Sequence, residues 1–310
     1  MTTEISYGKA EVSTYRTYGT PLDGVTAIPE SPFTGRSNVL LAAEIDVQVL
    51  GDVFLPAYTE GDNSLVVATD TMKNFIHTES LAFSGSTLEG WLHFLGSRFL
   101  ATYPDMERLR LDGRQLAFQP AVVPDGDGGF MESEVLFAHD RNDHGVASIG
   151  LSRASSDGGR AAIDDLEAGR VGLQLMKVTG SAFKAFARDA YTTLPERRDR
   201  PLYTWMDIRW RYADASIATE PRVAEYVASE QVADLATAVF HGFVSLSIQH
   251  LLHEIGNAVL DRFPQLSEVS FLSQNRLWDT SVVSEGSDRK EKVYTDPRPP
   301  YGRITLTLRR

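Results

Sequence analysis

The sequence contains no cysteine in its 310 residues. That excludes disulfides, thiolate nucleophiles and cysteine-based zinc or iron–sulfur sites together, while leaving the compartment open. Long apolar runs are missing as well. No segment approaches the roughly 18 consecutive apolar residues of a membrane-spanning helix. The opening MTTEISYGKAEVSTY lacks the basic start and apolar core of a secretory signal. The final LTLRR is not a peroxisomal address of the Ser-Lys-Leu type. A cytoplasmic protein is the expectation, with no membrane partner. Positive charge is scarce: 30 Lys and Arg stand against 42 Asp and Glu, a formal net charge of -12. Such a chain repels phosphate backbones, which argues against nucleic acid as a partner. No G-x-G-x-x-G fingerprint for a dinucleotide is present.

What is there suits a folded chain. A hydrophobic fraction of 42% with 23% charged residues is ordinary for a globular protein, and the length suits two domains of about 150 residues. Between 39 and 49 the odd positions are Val39, Leu41, Ala43, Ile45, Val47 and Val49, the period of a strand with one buried face. Thr69 or Asp70 is positioned to cap a helix carrying Met72, Phe75 and Ile76. Ser86 and Glu89 have capping-box spacing. The helix after them buries Leu88, Trp91, Leu92, Leu95 and Phe99, and ends before Tyr103-Pro104.

Adding 160 to these numbers reproduces the pattern. Ile248, Leu251, Leu252, Ile255 and Val259 form the same stripe, and Phe263-Pro264 repeats the break. Met106, Leu109 and Leu111 become Leu266, Val269 and Phe271, and His93 and Gly96 become His253 and Gly256. This reads as an internal duplication of a strand–strand–helix–helix–strand–strand unit. The expected division is 1–142 and 143–310. In the second unit RVGLQLMKV, LYTWMDIRWRY and GRITLTLRR read as strands, and ASSDGGRAAIDDLEAG as an exposed loop. PDGDGG at 124–129 reads as a hairpin turn, because the 12-residue ligand pattern of a calcium loop is incomplete.

Several segments in order are similar to urate oxidases. Tyr7-Gly8-Lys9 resembles that family's Y-G-K motif, and Val66 to Thr71 with Lys73-Asn74 its V-A-T-D-[ST]-x-K-N segment. FKAFARDAYTTLPERRDR at 183–200 resembles the F-x-x-F-x-R-D-x-Y-T-T-L…D-R signature. Ser247-Ile248-Gln249 and Gln274-Asn275 follow in family order. The resemblance implies an α+β tunnelling fold, two duplicated units whose antiparallel sheets close into a barrel between subunits. It implies a homotetramer of purine metabolism that oxidises urate with O2 to 5-hydroxyisourate and H2O2, using no cofactor and no metal.

It also implies site residues. Urate is a flat, anionic heterocycle, so its site needs an aromatic plane, a cation and groups that read its edges. Phe183 would supply the plane, Arg200 the cation, and Gln249 with the Ile248 N–H the opposite edge. Thr69 and Lys9 would relay protons, Thr69 and Asn275 would hold oxygen or water above the ring, and Asp70 would orient a substrate edge through its N–H. Outside these motifs the same residues have plainer readings: a core Phe, a solvated Arg or Lys, a helix-capping Thr. A lysine accepts a proton only if burial lowers its pKa. His250, His253 and Glu254 share a helix but lack H-E-x-x-H order, so they read as helix-surface or core residues rather than metal ligands.

One position departs. The family continues N-K-H after the asparagine, its histidine completing the proton relay; here the stretch is Asn275-Arg276-Leu277-Trp278. Leucine transfers no proton. Two rival readings therefore stand beside urate oxidation: a tunnelling-fold enzyme acting on a pterin or purine without redox chemistry, and a purine-binding protein that lost catalysis through Leu277.

Overall fold

The alternation at 39–49 becomes a strand, Leu40–Leu50, whose residues Leu41, Ala43, Ile45, Val47 and Val49 are all buried. In the computed structural model, which describes residues 3–139, 141–153, 161–219, 222–276, 278–284 and 291–310, it belongs to one eight-stranded antiparallel sheet. In chain order these strands are β1 (Ser6–Thr17), β2 (Leu40–Leu50), β3 (Arg108–Gln115), β4 (His144–Arg153), β5 (Ala161–Lys177), β6 (Leu202–Tyr212), β7 (Leu266–Arg276) and β8 (Gly302–Arg309). Their order across the sheet is the same as along the chain, so β1 and β8 are its two edges.

Four helices pack on one face: α1 (Thr69–Ser80) on β1, α2 (Leu88–Thr102) on β3 and β4, α3 (Ser229–Gly242) on β5, and α4 (Ile248–Arg262) on β7 and β8. The predicted stripes are the buried ones. Leu88, Trp91, Leu92, Leu95 and Phe99 on α2, and Ile248, Leu251, Leu252, Ile255 and Val259 on α4, are all at most 3% exposed. Both helices end alike, with Tyr103 N–H donating to the Phe99 carbonyl at 2.9 Å and Phe263 N–H to Val259 at 3.0 Å. The other sheet face is polar, carrying cross-strand ion pairs such as Glu44–Arg114 at 2.8 Å and Glu268–Arg309 at 2.6 Å. One apolar and one solvated face is what an antiparallel sheet permits.

The structure corrects four sequence expectations. Residues 161–169 are not loop but the first half of β5; 154–160 lie outside the described residues. The acidic run misled because Asp165 and Glu167 satisfy their charge across the sheet, against Arg211 and Arg209. The N-cap of α2 is Thr87, whose Oγ1 accepts from Gly90 N–H at 3.1 Å, not Ser86. Glu89 is therefore no capping-box partner, and it is buried. Neither Thr69 nor Asp70 caps α1; the N-cap is Ala68 and both fall in the first turn. Finally, the repeat offset is not constant. It is 160 for the helices and for β3 against β7. It is 161 for β2 against β6, because Ala43 faces Gln115 as Thr204 faces Asn275. At 124–129 a turn joins Phe118–Pro124 to Phe130–His139, tied by Asp125 Oδ1, which accepts from Asp127 and Gly129 N–H at 2.9 Å.

Candidate active site

Five of the predicted residues converge. Phe183, Arg200, Ile248, Gln249 and Asn275 line one cavity of about 290 Å³, together with Leu194, Gly302, Arg303 and Ile304. That volume lies near the lower end of the ~300–1,000 Å³ typical of small-molecule pockets. Local hydrogen bonding puts Phe183 there. Ala182 N–H donates to the Ser245 carbonyl at 2.8 Å, just before α4, and Ser245 Oγ donates to Ser181 Oγ at 3.0 Å in the interior. Phe183 and Arg197 exchange backbone bonds at 2.8 Å, and Arg200 N–H donates to Ser181 at 2.8 Å. The aromatic plane and the cation are thus held on one short, stitched segment. The Phe183 ring stacks on Phe186 with centroids 4.9 Å apart.

Two polar side chains of this cavity have buried atoms without a partner among the described residues. The Arg200 guanidinium lies 5.3 Å from the Phe183 ring centre. Its Nε is buried and has no partner among the described residues, and burial pulls the Arg200 pKa down from its ordinary value. Asn275 Oδ1 is likewise buried and unpartnered. An unmet buried donor and acceptor each carry a desolvation cost that a ligand can relieve. At the start of α4, Ser247 Oγ accepts from His250 N–H at 3.0 Å, so this side-chain cap does not take up the Ile248 and Gln249 N–H groups of the first turn.

Lys9, Thr69 and Asp70 are elsewhere. Lys9 is on edge strand β1, opposite Val47, and Thr69 and Asp70 open α1 beside it. Tyr7 holds the two together, its hydroxyl accepting from Val67 N–H at 3.2 Å; burial raises the Tyr7 pKa. Asp70 accepts from Lys73 Nζ at 2.5 Å and Asn74 Nδ2 at 3.2 Å. The Lys73 bond, with smaller help from Lys9, holds its carboxyl below the usual range. Asn275 on β7 is six strand spacings from β1, roughly 30 Å along the sheet at ~4.8 Å per strand. One chain therefore brings together five of the eight predicted residues at one end of its sheet and three at the other, and the two groups do not meet within it.

Sequence reasoning missed Leu194, Gly302, Arg303 and Ile304. Leu194 lies inside the 183–200 motif and was within reach. Gly302 to Ile304 face the cavity only because β8 pairs with β7 so that Gly302 is opposite Asn275, a register with no local signal. Leu277 lies outside the described residues. His250 and His253 sit on the outer part of α4, and among the described residues no three His, Asp or Glu side chains are grouped to hold a metal. Nor, among those residues, is any helix long and apolar enough to cross a membrane.

A family model described as Uricase matches residues 166–305. The uricase of Haloferax volcanii is 46% identical over 299 residues, covering 96% of each chain. This chain belongs to the uricase family. The "Uric acid degradation bifunctional protein" of Bacillus sp. TB-90 is 45% identical over 304 residues, 97% of this chain but 59% of that protein. The chain thus spans about three-fifths of the length of such bifunctional relatives. Among solved structures, the urate oxidase of Bacillus sp. TB-90 superposes with a TM-score of 0.94 at 43% identity, covering 99% of this chain and 100% of that one. The tunnelling fold expected from the sequence is the fold of these uricase relatives.

Proposed function

We propose that the chain oxidises urate: urate, O2 and water give 5-hydroxyisourate and hydrogen peroxide. The observation that carries this is the single cavity gathering Phe183, Arg200, Ile248, Gln249 and Asn275. The ring of urate stacks on Phe183, a contact of ~1–3 kcal/mol by analogy with base–aromatic stacking. Arg200 donates from its unpaired Nε side to one edge, and Gln249 with the Ile248 amide reads the lactam edge opposite. Asn275 places oxygen or water over the ring plane. Ground-state O2 is a triplet and reacts slowly with paired electrons. Deprotonated urate is reducing enough to pass electrons singly, so the residues here need only position both reactants and move protons.

Proton handling falls to Lys9 and Thr69, with the Asp70 amide at a substrate edge. Since these sit at the far edge of the sheet, the complete site takes them from a second copy of the chain, within a homotetramer. We propose that the join between the two units lies at the β4–β5 connection rather than at 142–143, because β4 closes on α2 as β8 closes on α4, with Leu151 against Gly96 and Leu308 against Gly256. A cytoplasmic setting belongs to the same proposal, and a cysteine-free chain is compatible with a reducing compartment. The non-redox and binding-only readings are less well supported, since the sequence and structural relatives named above are uricases and a urate oxidase.

The test is loss of urate absorbance with peroxide formed mole for mole. Arg200→Ala and Gln249→Ala are expected to raise KM for urate roughly 10- to 100-fold, the worth of a charge-assisted bond of ~1.5–3 kcal/mol. Thr69→Ala and Lys9→Met are expected to lower kcat by ~10²-fold or more, with KM little changed. Unchanged turnover in Lys9→Met together with unchanged affinity in Arg200→Ala would defeat these roles. Turnover is also expected to survive exhaustive chelation; activity lost to EDTA and restored by one metal would contradict the cofactor-free reading.

A further inference from the structure

Phe183 and Arg200 sit on residues 178–201, which join β5 to β6 without a helix or strand between them. Bonds across this segment give it its shape. Arg200 N–H reaches Ser181, and Phe183 and Arg197 hold each other. Two carboxylates add further rungs, and each takes the N–H of a residue with left-handed backbone. Asp199 Oδ1 accepts from Gly180 at 2.7 Å, where φ is 77°. Glu196 Oε1 accepts from Ala185 at 3.0 Å, where φ is 57°.

The two rungs differ in what they must overcome. Gly180 has no Cβ, so a left-handed backbone costs it little. Ala185 has one, and alanine is disfavoured there by the clash of Cβ with the carbonyl that follows. The conformation of Ala185 therefore needs support from outside, and the Glu196 carboxylate provides it.

We propose that Glu196 is a positioning residue for the urate site: it latches Ala185 in the left-handed turn that sets Phe186 behind Phe183. The two rings lie 4.9 Å apart at 11°, so Phe186 occupies one face of Phe183 and leaves the other for a flat ligand. Arg188 continues the stack, its guanidinium 5.4 Å from the Phe186 ring centre, and its Nη1 donates to the Leu194 carbonyl at 3.4 Å. Leu194 lines the candidate cavity, whereas Glu196 does not. Glu196 thus acts through Phe186 and Phe183, without touching substrate. A ring held from behind is already ordered when the ligand arrives, so stacking on it carries less entropic cost.

The inference rests on the urate reading above and adds to it the group that fixes the stacking plane. It predicts an effect opposite in sign to that of charge. Glu196 is an anion near a site for an anion, so by Coulomb's law alone its removal would tighten urate binding. Loss of the latch weakens binding instead, because Phe186 and then Phe183 are free to leave their places.

Three variants and one exchange measurement test this. Glu196→Ala is expected to raise KM for urate about 10-fold while kcat stays within about twofold, the pattern of a lost binding contribution. Glu196→Gln keeps an acceptor for Ala185 N–H and is expected to stay within about twofold of wild type in both constants. Ala185→Gly added to Glu196→Ala gives position 185 a residue at ease with positive φ, and is expected to bring KM back to within about threefold of wild type. A KM that is unchanged or lower in Glu196→Ala overturns the proposal. So does a Glu196→Gln as impaired as Glu196→Ala, or a double variant no better than Glu196→Ala alone. Hydrogen exchange at the Ala185 amide reads the latch without any substrate: it is expected to quicken at least about 10-fold in Glu196→Ala and to stay slow in Glu196→Gln. Equal exchange in all three proteins defeats the latch. A latch seen by exchange in protein that does not consume urate defeats the urate reading and leaves the latch standing.

Discussion

Assayed at urate well below KM, chains carrying Thr69→Ala, coexpressed with chains carrying Arg200→Ala, are expected to regain about a quarter of wild-type activity although each variant alone is nearly inactive under that condition. On the two-chain site proposed above, each site would draw its Thr69 side from one chain and its Arg200 side from the other. In a random equal mixture, half of the chains offer an intact Thr69 and half an intact Arg200, so about one site in four has both. The sheet forces this arithmetic, because Thr69 packs beside β1 and Arg200 lies against α4 at the opposite edge. Hetero-oligomers verified by differential tagging that remain inactive would place the whole site within one chain and contradict the sheet order as the basis of function.

A second large effect concerns Glu89. Its carboxyl is 4% exposed and accepts from Tyr226 Oη at 3.1 Å. Burial pushes its pKa from 4.5 up to about 7, with Tyr226 and Arg36 opposing and Glu230 reinforcing the rise. Tyr212, buried nearby, has its own pKa raised by burial and by Glu89. For an acid whose folded pKa is raised, the folded state binds the proton more tightly. The contribution to stability is complete below pH ~4.5, declines as pH rises towards 7, and is lost above it. The loss is about 3 kcal/mol at ~1.4 kcal/mol per pKa unit. Glu89→Gln, which installs the residue that the second unit carries at Gln249, keeps the acceptor for Tyr226 and removes the ionisation. It is expected to raise the melting temperature by several degrees at pH 8 and to leave it unchanged at pH 4. Thermal melts across that range check it; an equal shift at both pH values would mean that Glu89 is not ionising in the folded protein.

The helices were legible because each buries a single stripe, and a stripe survives in the sequence whatever surrounds it. Leu88 to Phe99 and Ile248 to Val259 needed only their spacing. The cap of α2 was misread by one residue because Ser86 and Thr87 are adjacent and equally able to accept an N–H; only the fold chooses between them. The first half of β5 was hidden for a different reason. Asp165 and Glu167 look like loop composition until Arg209 and Arg211 stand across from them, and cross-strand partners have no signature in linear sequence. The candidate site divides along the same line. Phe183, Arg200, Ile248, Gln249 and Asn275 were found through motifs, but Gly302 and Ile304 enter by strand pairing alone. That the Lys9 side lies six strands from the cavity is a property of sheet order, which no local pattern carries.

The pairing of β4 with β5 is tied by a covalent connection, whereas the two-chain site proposed above would join separate chains. Tethering gives the first an effective concentration that no dilution changes, while the second weakens by mass action. As the protein is diluted, the connected junction therefore persists after the free one has come apart. A single chain keeps its helices seated on eight paired strands and its cavity formed around Phe183, yet it would lack the Lys9 and Thr69 side of the proposed site. On the two-chain proposal catalysis would fail with dilution while the fold does not, and specific activity would read out how tightly the chains hold each other.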